Sequence, residues 1–323
     1  MASCPSTGET VWTHTPEQWL NSPSVLKARQ EFANNTWPKE CRKCQLEEQN
    51  IGKSRRTDRE IMGPGITHLD LRFGNSCNLK CITCGSLSSS SINNEASEMK
   101  AKNIIPINTI NINNVDNWYD ERFFEYFSNL PLIEVALAGG EPMMIKYLPE
   151  FLDRLDRSVK IRFTTNGTIC NPKLFKLLQK FNIVVMTVSM DAIGKRIEYI
   201  RYGTKWEDIE RNTLMYKDNF NVDISPCFSV LNTLYADEIF EWADKNNIRL
   251  YDDNILITPE HLSVQHAPDS LKSQFNRFHN WFEKPSDLNH QKTFIHNTMV
   301  MDSYRNIRIQ DYLPEVAKAY GIS

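Results

Sequence analysis

Six short apolar runs, separated by stretches long enough to hold a helix, constrain this sequence more than any other feature. They are His68 to Phe73, Ile133 to Ala138, Lys160 to Thr165, Ile183 to Ser189, Val222 to Val230 and Arg249 to Leu256. Helical patterns over Tyr147 to Arg157, Pro172 to Lys180, Trp206 to Tyr216 and Ala236 to Asn246 lie between them. Strands that alternate with helices in this way predict an α/β fold with a parallel sheet. Three strands end in small or polar residues: Ala138-Gly139-Gly140-Glu141, Thr164-Thr165-Asn166-Gly167 and Ser189-Met190-Asp191. Barrels and open α/β sheets place their sites at that C-terminal edge.

The chain has 323 residues, 41% hydrophobic and 24% charged, which excludes disorder, collagen-like repeats and coiled coil. A formal charge of -3 gives no overall field that gathers nucleic acid or anionic lipid, so neither partner is expected. Met1 to Thr10 has neither the basic start nor the apolar run of a signal peptide, and no run of about 18 apolar residues occurs. The expected location is therefore the cytoplasm. Its reducing conditions would keep the eight cysteines as thiols, and metal binding or thiol chemistry becomes the question.

Three parts are expected: a small N-terminal module over 1-61, a main body over 62-267 and a helical C-terminal extension over 268-323 packed on it. The first should hold a helix from Pro16 to Asn34 with Thr15 as N-cap, then Cys41 and Cys44. A polar, basic stretch from Gly52 to Glu60 would connect it to the main body, with the boundary near Met62. In the tail, Phe275, Phe278, Trp281 and Phe282 have helix-like spacing and read as packing. Ser86 to Ser91, broken only by Leu87, is one biased patch.

Cys77, Cys81 and Cys84 place three thiols within eight residues just past the first strand. A structural zinc site usually takes four ligands. Three thiolates suit a cubane iron-sulfur cluster in which one iron keeps an open position for a further ligand. The rival is a non-catalytic zinc-binding interaction module built from Cys41, Cys44, Cys81 and Cys84 as two CxxC pairs. The seven histidines form no HxxxH or HxxE pattern, and Cys170 and Cys227 stand alone as packing residues.

At these residues the chain resembles the radical S-adenosylmethionine (radical SAM) superfamily, whose hallmark is a CxxxCxxC loop after the first strand of a partial (β/α)6 TIM-type barrel. Gly139-Gly140-Glu141-Pro142 resembles the family's GGEP motif, and Glu198 to Gly203 resembles a segment of its twitch and SPASM subgroups. The resemblance implies that Cys77, Cys81 and Cys84 hold a catalytic 4Fe-4S cluster. It further implies that Gly139, Gly140, Glu141, Asn166, Ser189, Asp191 and Arg201 contact S-adenosyl-L-methionine, with Phe228 to Asn232 flanking the adenine. The implied reaction is one-electron cleavage of the sulfonium to a 5′-deoxyadenosyl radical, which abstracts a substrate hydrogen in an oxidation or rearrangement. The substrate would be a peptide or a small molecule, and the electron donor a flavodoxin or ferredoxin.

Cys41-Arg42-Lys43-Cys44, with Glu47, Glu48, Gly52, Ser54 and Arg56 after it, resembles the auxiliary-cluster segment of twitch-type proteins, here ahead of the barrel. Cys4 would be a third ligand of that auxiliary Fe-S cluster. Two positions depart from the family pattern: Thr83 stands where an aromatic is common, and Ala192 where a glycine is.

Overall fold

Buried residues at every second position give the first four of six short runs, as strands, one face for a core and one face left over. The computed structural model describes residues 18, 20–54, 66–104, 106, 121–281 and 285–322. The chain divides into two units, Met1–Gly65 and Ile66–Ser323.

In the first unit, α1 (Pro23–Ala33) is followed by α2 (Arg42–Ile51). The expected helix from Pro16 does not run through: the chain turns at Asn21 and Ser22, and Pro23 occupies the first turn of α1. Proline lacks the N–H that a helix interior needs, so a helix starts there instead of continuing. Thr15, the expected N-cap, lies outside the described residues. Gly52, at φ 73°, ends α2, and the Ser54 hydroxyl donates to Glu48 at 2.7 Å.

The second unit holds β1 (His68–Arg72), β2 (Glu134–Ala138), β3 (Lys160–Thr165), β4 (Val184–Val188), β5 (Asn221–Ile224) and β6 (Arg249–Leu250). They form one sheet in sequential order with every neighbouring pair parallel, the α/β architecture that the sequence predicts. The crossovers are α3 (Ser90–Ala101) with α4 (Glu121–Ser128), α5 (Leu148–Arg154), α6 (Pro172–Leu178), α7 (Lys195–Ile200) with α8 (Trp206–Lys217), and α9 (Ala236–Lys245). After β6 come α10 (Asp269–Lys272), α11 (Leu288–Arg305) and α12 (Pro314–Ala319). Right-handed crossovers between strands in sequential order put the crossover helices on one side of the sheet.

Toward those helices point Leu71, Leu137, Ile161, Phe163, Met186 and Val188, all buried. Phe73, Phe124 and Phe151 cluster there with ring centroids 5.1 to 6.0 Å apart. Each such side chain stabilises the fold by about 1.5–3 kcal/mol through burial. The opposite face carries polar residues. Asp70, Ala136, Arg162, Val185 and Asn221 are successive register partners across five strands, and Thr164, Thr187, Asp223 and Arg249 across four.

That inner face is concave. Arg162 on β3 donates to the Tyr251 hydroxyl just past β6 at 3.4 Å. Three strand spacings of about 4.8 Å would separate the two strands by about 14 Å in a flat sheet, so the sheet must curl for the side chains to meet.

Two expected strands are shorter than their apolar runs. Pro226 has no N–H to give the ladder, so β5 stops at Ile224 and pairing resumes only at the Phe228–Ile255 bridge. The aromatic tail is not one helix either. Phe275 and Trp281 are buried separately around the short α10 and a 3-10 turn, Phe278 takes φ 67°, and Phe282 lies outside the described residues. Among the described residues no helix is long and apolar enough to cross a membrane.

Candidate active site

The loop after β1 carries Cys77, Cys81 and Cys84, and it is tied down on every side. Residues of the serine run hold it from the α3 end. Ser89 donates to the Leu79 carbonyl at 2.6 Å and caps α3 by accepting from the Ile92 N–H, while Ser91 donates to the Cys77 carbonyl at 2.7 Å. From the β2 end the Glu141 N–H donates to the Ser76 carbonyl at 2.7 Å. Across the mouth of the sheet, Lys80 N–H donates to the Tyr202 carbonyl and Ile82 N–H to the Ile200 carbonyl, both at 2.8 Å. From α11 the buried Arg305 donates to the Lys80 carbonyl at 3.0 Å, pairs with Glu95 of α3 at 2.7 Å and lies 4.5 Å over the Tyr202 ring.

Gly139 and Gly140 follow β2 with φ 83° and 53°, values that side chains rarely tolerate. A β-carbon on Gly139 would lie 2.8 Å from the Arg72 β-carbon, and one on Gly140 2.9 Å from the Asn75 carbonyl carbon. Both glycines thus let the end of β2 press against β1 and the cysteine loop. Glu141 is fully buried. One of its oxygens accepts from Met143 N–H at 3.0 Å and the Thr165 hydroxyl at 2.8 Å, and the other from Asn166 N–H at 2.6 Å. Burial raises the affinity of this carboxyl for a proton, and the three hydrogen bonds oppose it. Glu141 locks the end of β2 to the end of β3.

That lock orients Asn166. Its Oδ1 accepts from Thr168, and its Nδ2 donates to Asn78 at 2.9 Å and lies 3.9 Å from the Cys77 sulfur. Ser189 follows β4, half-buried, with its N–H donating to the Thr165 carbonyl at 2.9 Å.

Asp191 and Arg201 meet each other. Asp191, fully buried, accepts from Cys227 N–H at 2.7 Å, and its second oxygen lies 2.8 Å from Arg201 Nε. The short contact is an ion pair without an aligned hydrogen bond, so both Arg201 Nε and that oxygen remain unsatisfied though buried. Desolvation works against the Arg201 charge, but Asp191 and the neighbouring thiols outweigh it and hold the guanidinium charged. Burial pushes the Cys77 thiol up, and Cys81 up to about 12, with the Arg201 charge acting the other way on Cys81. Cys84 is exposed.

This donor set suits a cluster that takes the sulfurs as thiolates, because a bound metal withdraws the protons that burial retains. The orphaned donor and acceptor of Arg201 and Asp191 suit a polar ligand arriving beside the thiols. No three His, Cys, Asp or Glu side chains among the described residues are disposed to hold a single metal ion.

Phe228 to Asn232, the segment expected to flank an adenine, are all buried. The Phe228 ring lies 4.5 Å from that of Phe278, tilted by 43°, and Asn232 ties the turn by donating to the Asp191 and Cys227 carbonyls. In the first unit, Cys41 is buried at the start of α2 and Cys44 lies one turn on, while Cys4 lies outside the described residues. The serines and Arg305 have no motif of their own; a serine ahead of a helical pattern signals an N-cap, and nothing local signals Arg305.

Residues 71–243 match the Radical SAM superfamily profile, more than half of the chain. The chain belongs to the radical SAM superfamily. This radical SAM chain is 26% identical over 191 residues to "Probable GTP 3',8-cyclase" of Archaeoglobus fulgidus, covering 57% of each. It is 26% identical over 216 residues to the radical SAM cyclopropyl synthase TigE of Paramaledivibacter caminithermalis, covering 62% of this chain and 42% of TigE. The chain therefore spans about half the length of these curated relatives. Similar solved structures include anSMEcpe with bound AdoMet and Cp18Cys peptide, at TM-score 0.42, 17% identity, and 75% and 62% coverage of this chain and that one. Streptococcus suis SuiB bound to S-adenosylmethionine gives TM-score 0.43, 12% identity, and 90% and 61% coverage.

Proposed function

We propose that this radical SAM chain is an enzyme that cleaves S-adenosyl-L-methionine reductively and uses the product to abstract hydrogen from a substrate. The observation that carries this reading is the cysteine loop bound, backbone to backbone, to the segment bearing Arg201, whose unsatisfied Nε lies beside the thiols. In this proposal Cys77, Cys81 and Cys84 ligate a 4Fe-4S cluster, and Gly139, Gly140, Asn166, Ser189 and Arg201 face the cofactor. The cluster and cofactor supply the electron and the carbon-centred oxidant.

The chain's own residues do the rest. Glu141 and Asp191 are positioning residues: the first fixes Asn166 against Cys77, and the second fixes Arg201 against Cys81. An arginine held charged and half-satisfied is suited to a carboxylate brought by the cofactor. The loop, strapped by Ser89, Ser91 and Arg305, keeps the three sulfurs from drifting apart when no metal spans them.

The proposal includes an auxiliary Fe-S cluster on Cys41, Cys44 and Cys4 of a twitch-like N-terminal module. It also includes a flavodoxin or ferredoxin as donor, and a peptide or small molecule as substrate. Anaerobic purification with iron and sulfide analysis, followed by dithionite reduction and assay of 5′-deoxyadenosine, tests it. The wild type should be brown and form 5′-deoxyadenosine, and Cys81→Ala should lose about four irons and all of the product. Cys44→Ala should lose iron and keep the product. A colourless zinc protein, or undiminished 5′-deoxyadenosine from Cys81→Ala, rejects the reading.

A further inference from the structure

We infer that the concave face of the sheet binds an oxyanion of the substrate, a carboxylate or a phosphate, on the Arg162 guanidinium. This deepens the proposed function and rests on it for the word substrate.

The chain as a whole is acidic, but this face is not. It presents Arg72, Lys160, Arg162 and Arg249 against Asp70, Glu134 and Asp223, and most of these charges are already engaged. Lys160 pairs with Glu134 at 2.9 Å, and Arg72 approaches Asp70 at 3.8 Å. Asp223 accepts from the Tyr251 hydroxyl at 3.1 Å, and Arg249 lies 4.6 Å over the Tyr251 ring. Arg162 differs. Among the described residues it makes no ion pair within 4.0 Å, and its hydrogen bond is a 3.4 Å contact to the same hydroxyl that Asp223 has taken. Tyr251 thus stands between the arginine and the carboxylate that would neutralise it. A residue serving only to fill the base of the fold would be expected to reach that carboxylate, since a half-buried charge with no opposite charge in contact is costly.

The side chains that flank Arg162 on the two adjoining strands are short. The strand neighbours of Arg162 in register are Ala136 and Val185, and the residues one step nearer the cysteine loop are Ala138, Thr164 and Thr187, all small. Arg162 lies four residues before Asn166, about 13 Å along an extended strand. Asn166 in turn is 3.9 Å from the Cys77 sulfur. An anion seated on Arg162 would leave the body of a small molecule, or one side chain of a peptide, extended toward the thiols. The planar guanidinium fork matches two oxygens of a carboxylate or phosphate, which an ammonium would not.

Calorimetric titration of the full chain with inorganic phosphate, and separately with malonate, at ionic strength fixed with chloride, tests this without cluster or cofactor. One of the two anions should bind saturably, and which one does decides between the phosphate and carboxylate forms. Arg162→Met should weaken that binding at least about tenfold, equivalent to about 1.4 kcal/mol. Tyr251→Phe should change it less, and Arg162→Lys, which keeps the charge and guards against misfolding of the methionine variant, should fall between. Absence of binding to wild type, or equal binding to Arg162→Met and Arg162→Lys, overturns the inference. The iron and 5′-deoxyadenosine measurements on wild type are read independently, so failure of the proposed function and failure of the anion site are distinguishable.

Discussion

The two faces of the sheet are built from the same strands, residue by residue in alternation, yet they do opposite work. Phe163 points to the helices and is fully buried; Thr164, its neighbour, points to the concave side and is half-exposed. On the helix side the fold gains from apolar area removed from water. On the concave side it keeps charges that a closed, packed barrel interior would exclude. Stability and recognition are separated by one step along the backbone.

The sharpest way to break this comparison is to truncate both neighbours. Phe163→Ala should cost about 3–5 kcal/mol in urea unfolding, whereas Thr164→Ala should stay within about 0.5 kcal/mol. Equal losses would mean that the concave side is a second core. A smaller effect is expected where the two faces converge at the end of β2. Gly140→Ala places a β-carbon against the backbone of the cysteine loop at φ 53°, and about 1–3 kcal/mol of destabilisation should follow, with reduced iron loading of the purified protein. A fully loaded alanine variant of wild-type stability would deny that β2 presses on the loop.

How much of this is legible in the sequence depends on the range of the interaction. The strands up to β4 follow from apolar runs alone, and the helices after them match to within a few residues, because those signals are local. Pro23 and Pro226 are visible in the sequence, and the missing N–H at each explains where α1 starts and β5 ends. The candidate ligands Cys77, Cys81 and Cys84 are legible for the same reason of closeness. What is not legible is pairing over distance. Asp191 and Arg201 each look like a cofactor contact, and only the fold turns them toward one another. Arg305, more than 200 residues from Glu95, has no sequence sign of holding the loop. The serine run looks like compositional bias until Ser89 and Ser91 are seen donating to the carbonyls between the cysteines.

The smallest expected effect lies on the helix layer, where charges meet solvent. Arg277 beside Asp237 holds that carboxyl below its usual range. A carboxylate with a depressed folded value adds stability that is present above the unfolded value, near pH 4, and is lost as pH falls through the lower folded value. Because both side chains are more than a third exposed, Asp237→Asn should cost no more than about 1 kcal/mol at neutral pH and flatten the stability profile only below about pH 4. An unchanged acid limb in the variant would show that the pair contributes nothing.

The rungs between Lys80 and Tyr202 and between Ile82 and Ile200 have a mechanical meaning. Two segments more than a hundred residues apart are registered like teeth of one gear, so the sulfurs cannot shift without carrying the guanidinium between those rungs along. Under the proposed function, seating a metal on the first segment and presenting a charge from the second are then one movement, and a fault introduced on either side would be felt as a fault in both.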